Sequence, residues 1–225
     1  MERMSTGVAN LDELLGGGIP TGATVLLAGP PGAGKSILAQ QLLFHSARCG
    51  GTAVYFVALG EPPAKAMRHC ETLTFFDVAS VNKSVHYKDI TATLREGDLT
   101  KLMLAIKTII ADVDATAIAI DSIKALYDLG ISRGTVRQFV YDLSFNVSLG
   151  ACTAFLVRET AADACLPDVP EFNIADGIIV LGWRTVESGE PDRTLRILKL
   201  RGSDHAQGTY RMRLTARGVE VEARA

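Results

Sequence analysis

The sequence predicts an α/β fold: a mostly parallel central sheet flanked by helices, with antiparallel strands at its C-terminal edge, all in one domain spanning residues 1–225. Three observations predict it. Short apolar runs that stop at glycine or aspartate alternate with segments of helical periodicity, as in repeated strand–helix units. A glycine-rich loop joins the first apolar run directly to a helical segment. The C-terminal segment then switches to a period of two. A length of 225 residues suits one sizeable core. The composition, 48% hydrophobic and 21% charged, excludes long disorder.

Thr24 to Ala28 (TVLLA) is a β-branched and apolar run that ends at Gly29, as expected of a strand buried on both faces. From Ser36 to Arg48 the apolar residues Ile37, Leu38, Leu42 and Leu43 fall at helical spacing, and Gly50-Gly51 ends the helix. Ala53 to Leu59 predicts a second buried strand. Pro62-Pro63 opens a helix expected to run to about Leu73, because proline is tolerated where its missing N–H has no intrahelical partner. Asp98 to Asp112 predicts an amphipathic helix, and it is the only element predicted between Asp77 and Ala115. Thr116 to Ile120 is a third buried strand ending on Asp121. Arg133 to Leu149 is a helix stopped by Gly150, Ala151 to Val157 a fourth strand, and Gly177 to Leu181 a fifth. Thr194 to Arg201, Thr209 to Leu214 and Val219 to Glu222 alternate apolar and charged residues, the pattern of half-exposed antiparallel strands.

The formal net charge of −2 gives the whole chain no strong attraction for polyanions. Charge is unevenly placed, however. Arg193 to Arg217 contains seven basic residues (Arg193, Arg196, Lys199, Arg201, Arg211, Arg213, Arg217) against one acid, Asp204. Such a run is either a solvated strand face or a phosphate-facing surface. The four cysteines, Cys49, Cys70, Cys152 and Cys165, lack zinc-ligand spacing. Reduced thiols and the absence of a leader peptide predict a cytoplasmic protein, and no apolar run is long enough for a membrane span.

Gly29-Pro30-Pro31-Gly32-Ala33-Gly34-Lys35-Ser36 matches the phosphate-loop pattern in full, with a strand before it and a helix after. Each part has a physical task. The glycines let successive backbone N–H groups point inward as an anion nest. The helix N-terminus adds its positive dipole end. Lys35 supplies a charge for the β- and γ-phosphates, and the Ser36 hydroxyl a ligand for Mg²⁺. Asp121, at the end of an apolar strand, has the position of a metal-holding aspartate; it equally suits a helix N-cap.

With these residues placed, the chain resembles the KaiC-like ATPases of the RecA/RadA superfamily. The resemblance runs through Ser5-Thr6-Gly7, Leu11-Asp12-Glu13-Leu14, Gly17-Gly18-Ile19-Pro20-Thr21-Gly22, the phosphate loop, Ile118-Ala119-Ile120-Asp121-Ser122, Glu171-Phe172 and Ala175-Asp176. It ends with Arg193-Thr194-Leu195-Arg196-Ile197-Leu198-Lys199-Leu200-Arg201-Gly202-Ser203-Asp204-His205. It implies a RecA-type P-loop NTPase fold binding ATP and Mg²⁺, and a homo-oligomeric ring, usually a hexamer, with nucleotide between subunits. Residues matching Lys199 and Arg201 then reach the γ-phosphate of the neighbouring subunit's ATP, and those matching Ser203 and His205 lie against that nucleotide. The candidate nucleotide contacts are Gly32, Ala33, Gly34, Lys35, Ser36, Ile37, Thr72, Lys199, Leu200, Arg201, Ser203 and His205. The candidate metal residues are Ser36 and Asp121, and the candidate catalytic residues Lys35, Glu61, Lys199 and Arg201.

The sequence departs from its relatives at one position. Where they end the second core strand in two adjacent glutamates, the first taken as the base for the attacking water, this chain has Gly60 followed by Glu61. Glycine cannot orient or deprotonate water, and losing a general base costs about 10²–10⁴ in rate. Either Glu61 substitutes, or it only complements the dipole at the start of its helix. Three functions follow from these residues: a slow regulatory ATPase ring that presents a surface to a protein partner, a non-hydrolysing ATP-gated scaffold, and a recombination or repair accessory. The third requires DNA contacts from the loops Ser122 to Gly134 and Arg158 to Ala175. Their composition is poor for that role, because Lys124, Arg133 and Arg158 are offset by Glu159, Asp163, Asp168 and Glu171, whereas phosphate contact needs clustered Lys/Arg and single-strand binding adds stacking aromatics.

Overall fold

A computed structural model describes residues 2–161, 169–185 and 191–222; Asp163, Cys165 and Asp168 lie outside the described residues. Its strands are β1 (Arg3–Met4), β2 (Ile19–Pro20), β3 (Thr24–Gly29), β4 (Ala53–Val57), β5 (Val85–Asp89), β6 (Ala117–Asp121), β7 (Thr153–Glu159), β8 (Gly177–Thr185), β9 (Pro191–Leu200), β10 (Tyr210–Thr215) and β11 (Gly218–Val221). The helices are α1 (Leu11–Leu14), α2 (Lys35–Arg48), α3 (Pro63–Arg68), α4 (Thr91–Arg95), α5 (Leu99–Asp112), α6 (Lys124–Asp128), α7 (Arg133–Leu149) and α8 (Pro170–Ile174). β1 and β2 form a small antiparallel pair. The other nine strands form one sheet in the order β11-β10-β9-β8-β3-β7-β6-β4-β5. From β8 to β5 all neighbours are parallel, while β9, β10 and β11 complete the sheet antiparallel.

β3 shows why the apolar runs became central strands. Val25 and Leu27 point into the core shared with α2, and Leu26 and Ala28 into the opposite core shared with α5 and α7. All four are fully buried, so neither face of the strand meets water. Burying a side chain of valine or leucine size contributes about 1.5–3 kcal/mol. The flanking helices are capped as their sequences suggest. Asp98 Oδ1 accepts from the N–H groups of Thr100 and Lys101 at 2.9 and 3.0 Å, and Ser132 Oγ from Thr135 N–H at 3.2 Å. Gly29 at the end of β3 admits no other residue easily. Its φ is 153°, and a Cβ there would stand 2.1 Å from the Leu181 carbonyl oxygen of β8.

Several elements differ from expectation. α3 ends at Arg68 and not near Leu73, because the chain turns across to the β10–β11 turn. There Thr74 N–H donates to Ala216 O at 2.8 Å, and the rings of Phe75 and Phe76 pack 5.9 and 5.0 Å from that of Phe44. β8 continues past Leu181 to Thr185, since pairing with β9 as far as Pro191 extends both strands. β5 and α4 were not predicted. In β5 (VHYKD) only Val85 is buried, as expected of an edge strand without an apolar run.

Candidate nucleotide site

Because β3, β7, β6 and β4 are parallel, their carboxyl ends bring Gly29, Glu159, Asp121 and the Val57–Glu61 segment to one rim. Open α/β sheets bind ligands at this rim. A cavity of about 410 Å³ opens there, lined by Gly32, Gly34, Lys35, Ser36, Ile37, Gln40, Tyr55, Gly60, Glu61, His69, Asp121 and Leu214, among others. Gly32 and Gly34 have φ of 74° and 104°, which curls the loop backbone around the mouth of α2. Lys35 begins α2 and folds back over the loop, its Nζ donating to Pro30 O at 2.8 Å. It is only 8% exposed. Burial lowers its pKa from the ordinary lysine value, while Glu159 and Asp121 oppose that shift. A buried cation between two carboxylates, facing an open cradle, is suited to receive phosphate.

The metal end gathers Ser36 and Asp121 on the same cavity wall. A hydroxyl and a carboxylate are the oxygen donors that Mg²⁺ prefers, so the residues present fit that ion. Tyr55 O–H donates to Asp121 Oδ2 at 2.5 Å. Desolvation, then the neighbouring Asp121 charge, pushes the Tyr55 hydroxyl well above its ordinary range, so it keeps its proton. Tyr55 was read only as part of an apolar strand; nothing in a linear sequence distinguishes a core tyrosine from one aimed at a site.

Gly60 and Glu61 line the same cavity from the other side. Glu61 is engaged on both oxygens: its Oε1 lies 2.9 Å from Lys65 Nζ and its Oε2 3.0 Å from His69 Nδ1. A Cβ built on Gly60 would meet nothing closer than Ala58 O at 3.9 Å, so the space of a side chain stands open. Glu159, unassigned by sequence reasoning, terminates β7 opposite Gly29 and faces the phosphate loop.

Lys199 and Arg201 of the basic tail lie elsewhere. Leu200 pairs with Gly177, which pairs with Val25 near the start of β3, whereas the phosphate loop leaves the end of β3 at Gly29. Four residues of strand separate these levels, roughly 13 Å at about 3.3 Å per residue. Lys199 Nζ donates to Asn173 O at 3.1 Å and Ala175 O at 2.5 Å. Arg201 Nη1 donates to Ile174 O at 3.2 Å and pairs with Asp176 Oδ1 at 3.1 Å. Burial, then the Arg201 charge, lowers the Lys199 pKa. Ser203 Oγ donates to Leu15 O, and His205 Nδ1 lies 3.3 Å from Ala206 O. Neither these residues, nor buried Leu200, nor Thr72, exposed in the turn after α3, line the cavity of their own chain. Arg211, Arg213 and Arg217 pair with Asp192, Glu222 and Glu220, as a solvated strand face does.

Two further expectations can be located. Lys124 Nζ pairs with Asp128 at 2.7 Å, and the buried Arg158 pairs with Glu171, which also accepts from Tyr127 O–H at 2.7 Å. Burial pushes the Cys70 and Cys152 thiols up to about 12. Among the described residues no group of His, Cys, Asp and Glu is arranged to hold a metal, and no helix is long and apolar enough to cross a membrane.

A strand, a glycine-curled anion loop with a buried lysine, and a serine–aspartate pair on a RecA-type sheet define a P-loop nucleotide-binding ATPase domain. The family model described as "ATPase: KaiC" matches residues 4–225, and the chain belongs to that family. A UPF0273 protein of Methanopyrus kandleri is 31% identical over 99% of this chain and 92% of its own length. The circadian clock oscillator protein KaiC of Picosynechococcus is 27% identical over 98% of this chain but only 44% of its own length. The crystal structure of a KaiC-like protein from Pyrococcus horikoshii superposes with a TM-score of 0.85 at 26% identity, over 99% of both chains.

Proposed function

We propose that this chain is a regulatory ATPase that binds Mg-ATP in the phosphate loop and assembles into a ring, in the manner of a hexamer, with each nucleotide between subunits. The observation that carries this reading is the position of Lys199 and Arg201. They are cations of the kind that stabilise a transferring phosphoryl group, yet they stand at the opposite end of the sheet from their own loop. A head-to-tail contact brings the tail of one copy to the loop of the next, and repeating such a contact closes a ring. In that arrangement Leu200, Ser203 and His205 belong to the face turned toward the neighbouring nucleotide. Mg²⁺, held by Ser36 and Asp121, supplies charge neutralisation for the phosphates.

Hydrolysis is slow in this reading, because Gly60 carries no base and the nearest alternative, Glu61, has its two oxygens engaged by Lys65 and His69. The slow cycle serves to time assembly and the display of a surface to a protein partner. DNA binding is disfavoured, since Lys124 and Arg158 spend their charges on Asp128 and Glu171.

Light scattering after gel filtration, with and without Mg-ATP, tests the ring, and steady-state phosphate release beside a Lys35→Ala control tests turnover. A nucleotide-dependent rise in mass with turnover absent from the control is the expected result. A rise in mass without turnover makes the protein a non-hydrolysing, ATP-gated scaffold. A monomer that binds Mg-ATP overturns the ring.

A further inference from the structure

Tyr55 sits on β4 level with Ala119 of β6, so Asp121 lies two residues further along the neighbouring strand. Two strand residues span roughly 6.6 Å, a distance that a tyrosine side chain bridges and a shorter polar side chain does not. The ring is buried and packs 5.4 Å from that of Tyr87. Tyr87 O–H donates to Gln40 Oε1 at 2.7 Å, and Gln40 Nε2 donates to the Ser36 carbonyl at 3.3 Å. The contacts therefore form a continuous path: Asp121, Tyr55, Tyr87, Gln40 and the backbone of Ser36. It runs beneath the cavity and ties together the two residues suited to hold Mg²⁺, which come from different elements, α2 and β6.

We propose that Tyr55 is a positioning residue for the metal end of the nucleotide site, holding one oxygen of the Asp121 carboxylate and leaving the other for the cation. This rests on the reading of the cavity as an Mg-nucleotide site. The hydroxyl removes the rotational freedom that a carboxylate at a strand end otherwise has, so the site loses less entropy when the cation arrives. Partners of this kind, one shell outside the metal, typically change metal affinity about 10–100-fold when removed. Tyr87 and Gln40 act more weakly, since they fix the Tyr55 ring and the first turn of α2 without touching Asp121.

The test uses the full chain with a fluorescent ATP analogue and a Mg²⁺ titration, reading the Mg²⁺ concentration at half-maximal binding. Tyr55→Phe keeps the buried ring and removes only the donor. It is expected to raise that midpoint by about tenfold or more, with analogue affinity in EDTA and melting temperature unchanged. Tyr87→Phe should shift the midpoint less. In an Asp121→Ala background, which removes the acceptor, Tyr55→Phe should add no further shift, because the two residues act through one hydrogen bond. An unchanged midpoint in Tyr55→Phe, or an undiminished shift in the Asp121→Ala background, overturns the proposal while leaving the nucleotide reading intact. A wild-type chain that binds the analogue without Mg²⁺ dependence overturns the reading of the metal end and the proposal with it, and one that does not bind the analogue at all overturns the nucleotide reading.

Discussion

The phosphate loop and the C-terminal hairpin both carry cations suited to phosphate, but they hold them differently. Lys35 is buried within the cavity it serves, folded onto the carbonyl of Pro30 and flanked by the carboxylates of Glu159 and Asp121. Lys199 and Arg201 are anchored instead on the carbonyls of residues 173–175 and on Asp176, at the other end of the sheet. A loop that is contiguous in sequence completes its cradle with its own backbone. β9 runs antiparallel to the loop's strand and so carries Lys199 and Arg201 to the end of the sheet away from the loop, where the proposed ring would set them against a second copy. In the proposed ring, this difference separates binding, assigned to one chain, from turnover, assigned to a pair.

Arg201→Ala is the sharpest way to break that division. Loss of a cation supplied across an interface should cut phosphate release from the assembled protein by about 10³-fold or more, while nucleotide affinity of the dilute monomer stays within about twofold, well under one lost charged hydrogen bond. If monomer affinity collapses instead, Arg201 serves its own loop and the comparison fails. Gly60→Glu asks whether a missing base limits turnover. The position has room for a side chain, so the substitution should raise phosphate release by about 10²; no increase would show that base chemistry is not what limits the rate.

Lys35→Ala probes the loop itself. It should weaken nucleotide binding by roughly 10–100-fold, as expected of a lost charged hydrogen bond, and equilibrium titration reads this directly. Lowering melting temperature without changing affinity would assign Lys35 to the fold alone. The smallest effect is a proton. Burial depresses the Lys35 pKa in the free protein, and bound phosphates raise it again. Between these two pKa values binding should therefore take up a fraction of a proton, falling to zero at pH below both, where Lys35 is charged in both states. Calorimetry in buffers of different ionisation heat measures it, and the uptake should vanish in Lys35→Ala.

Much of this was legible in the sequence, for reasons that differ by element. β3 and the loop were plain because strand, turn chemistry and helix follow one another without a gap, and Asp121 because it ends an apolar strand. Seven basic residues in the tail drew notice without revealing their partners; the structure divides them, pairing Arg211, Arg213 and Arg217 with acids on the same sheet edge and setting Lys199 and Arg201 apart. β5 was missed because an edge strand needs no apolar run, and α3 was drawn too long because its end is set by Phe75 and Phe76 packing on Phe44, a contact between distant segments. The engagement of Glu61 by both Lys65 and His69 also needed the short helix to be placed before it could be seen.

By itself the sequence determined the α/β class, the phosphate loop with Lys35 and Ser36, and the strand-end aspartate, because each depends on residues adjacent in the chain and on backbone geometry that local composition dictates. Only the tertiary structure decided that Tyr55 reaches Asp121, that Glu159 ends β7 in register with Gly29, and that Lys199 and Arg201 lie at the other end of the sheet from the loop. Those relations are set by strand order and register across a nine-stranded sheet, where side chains far apart in sequence meet because parallel strands end at a common rim and antiparallel ones do not.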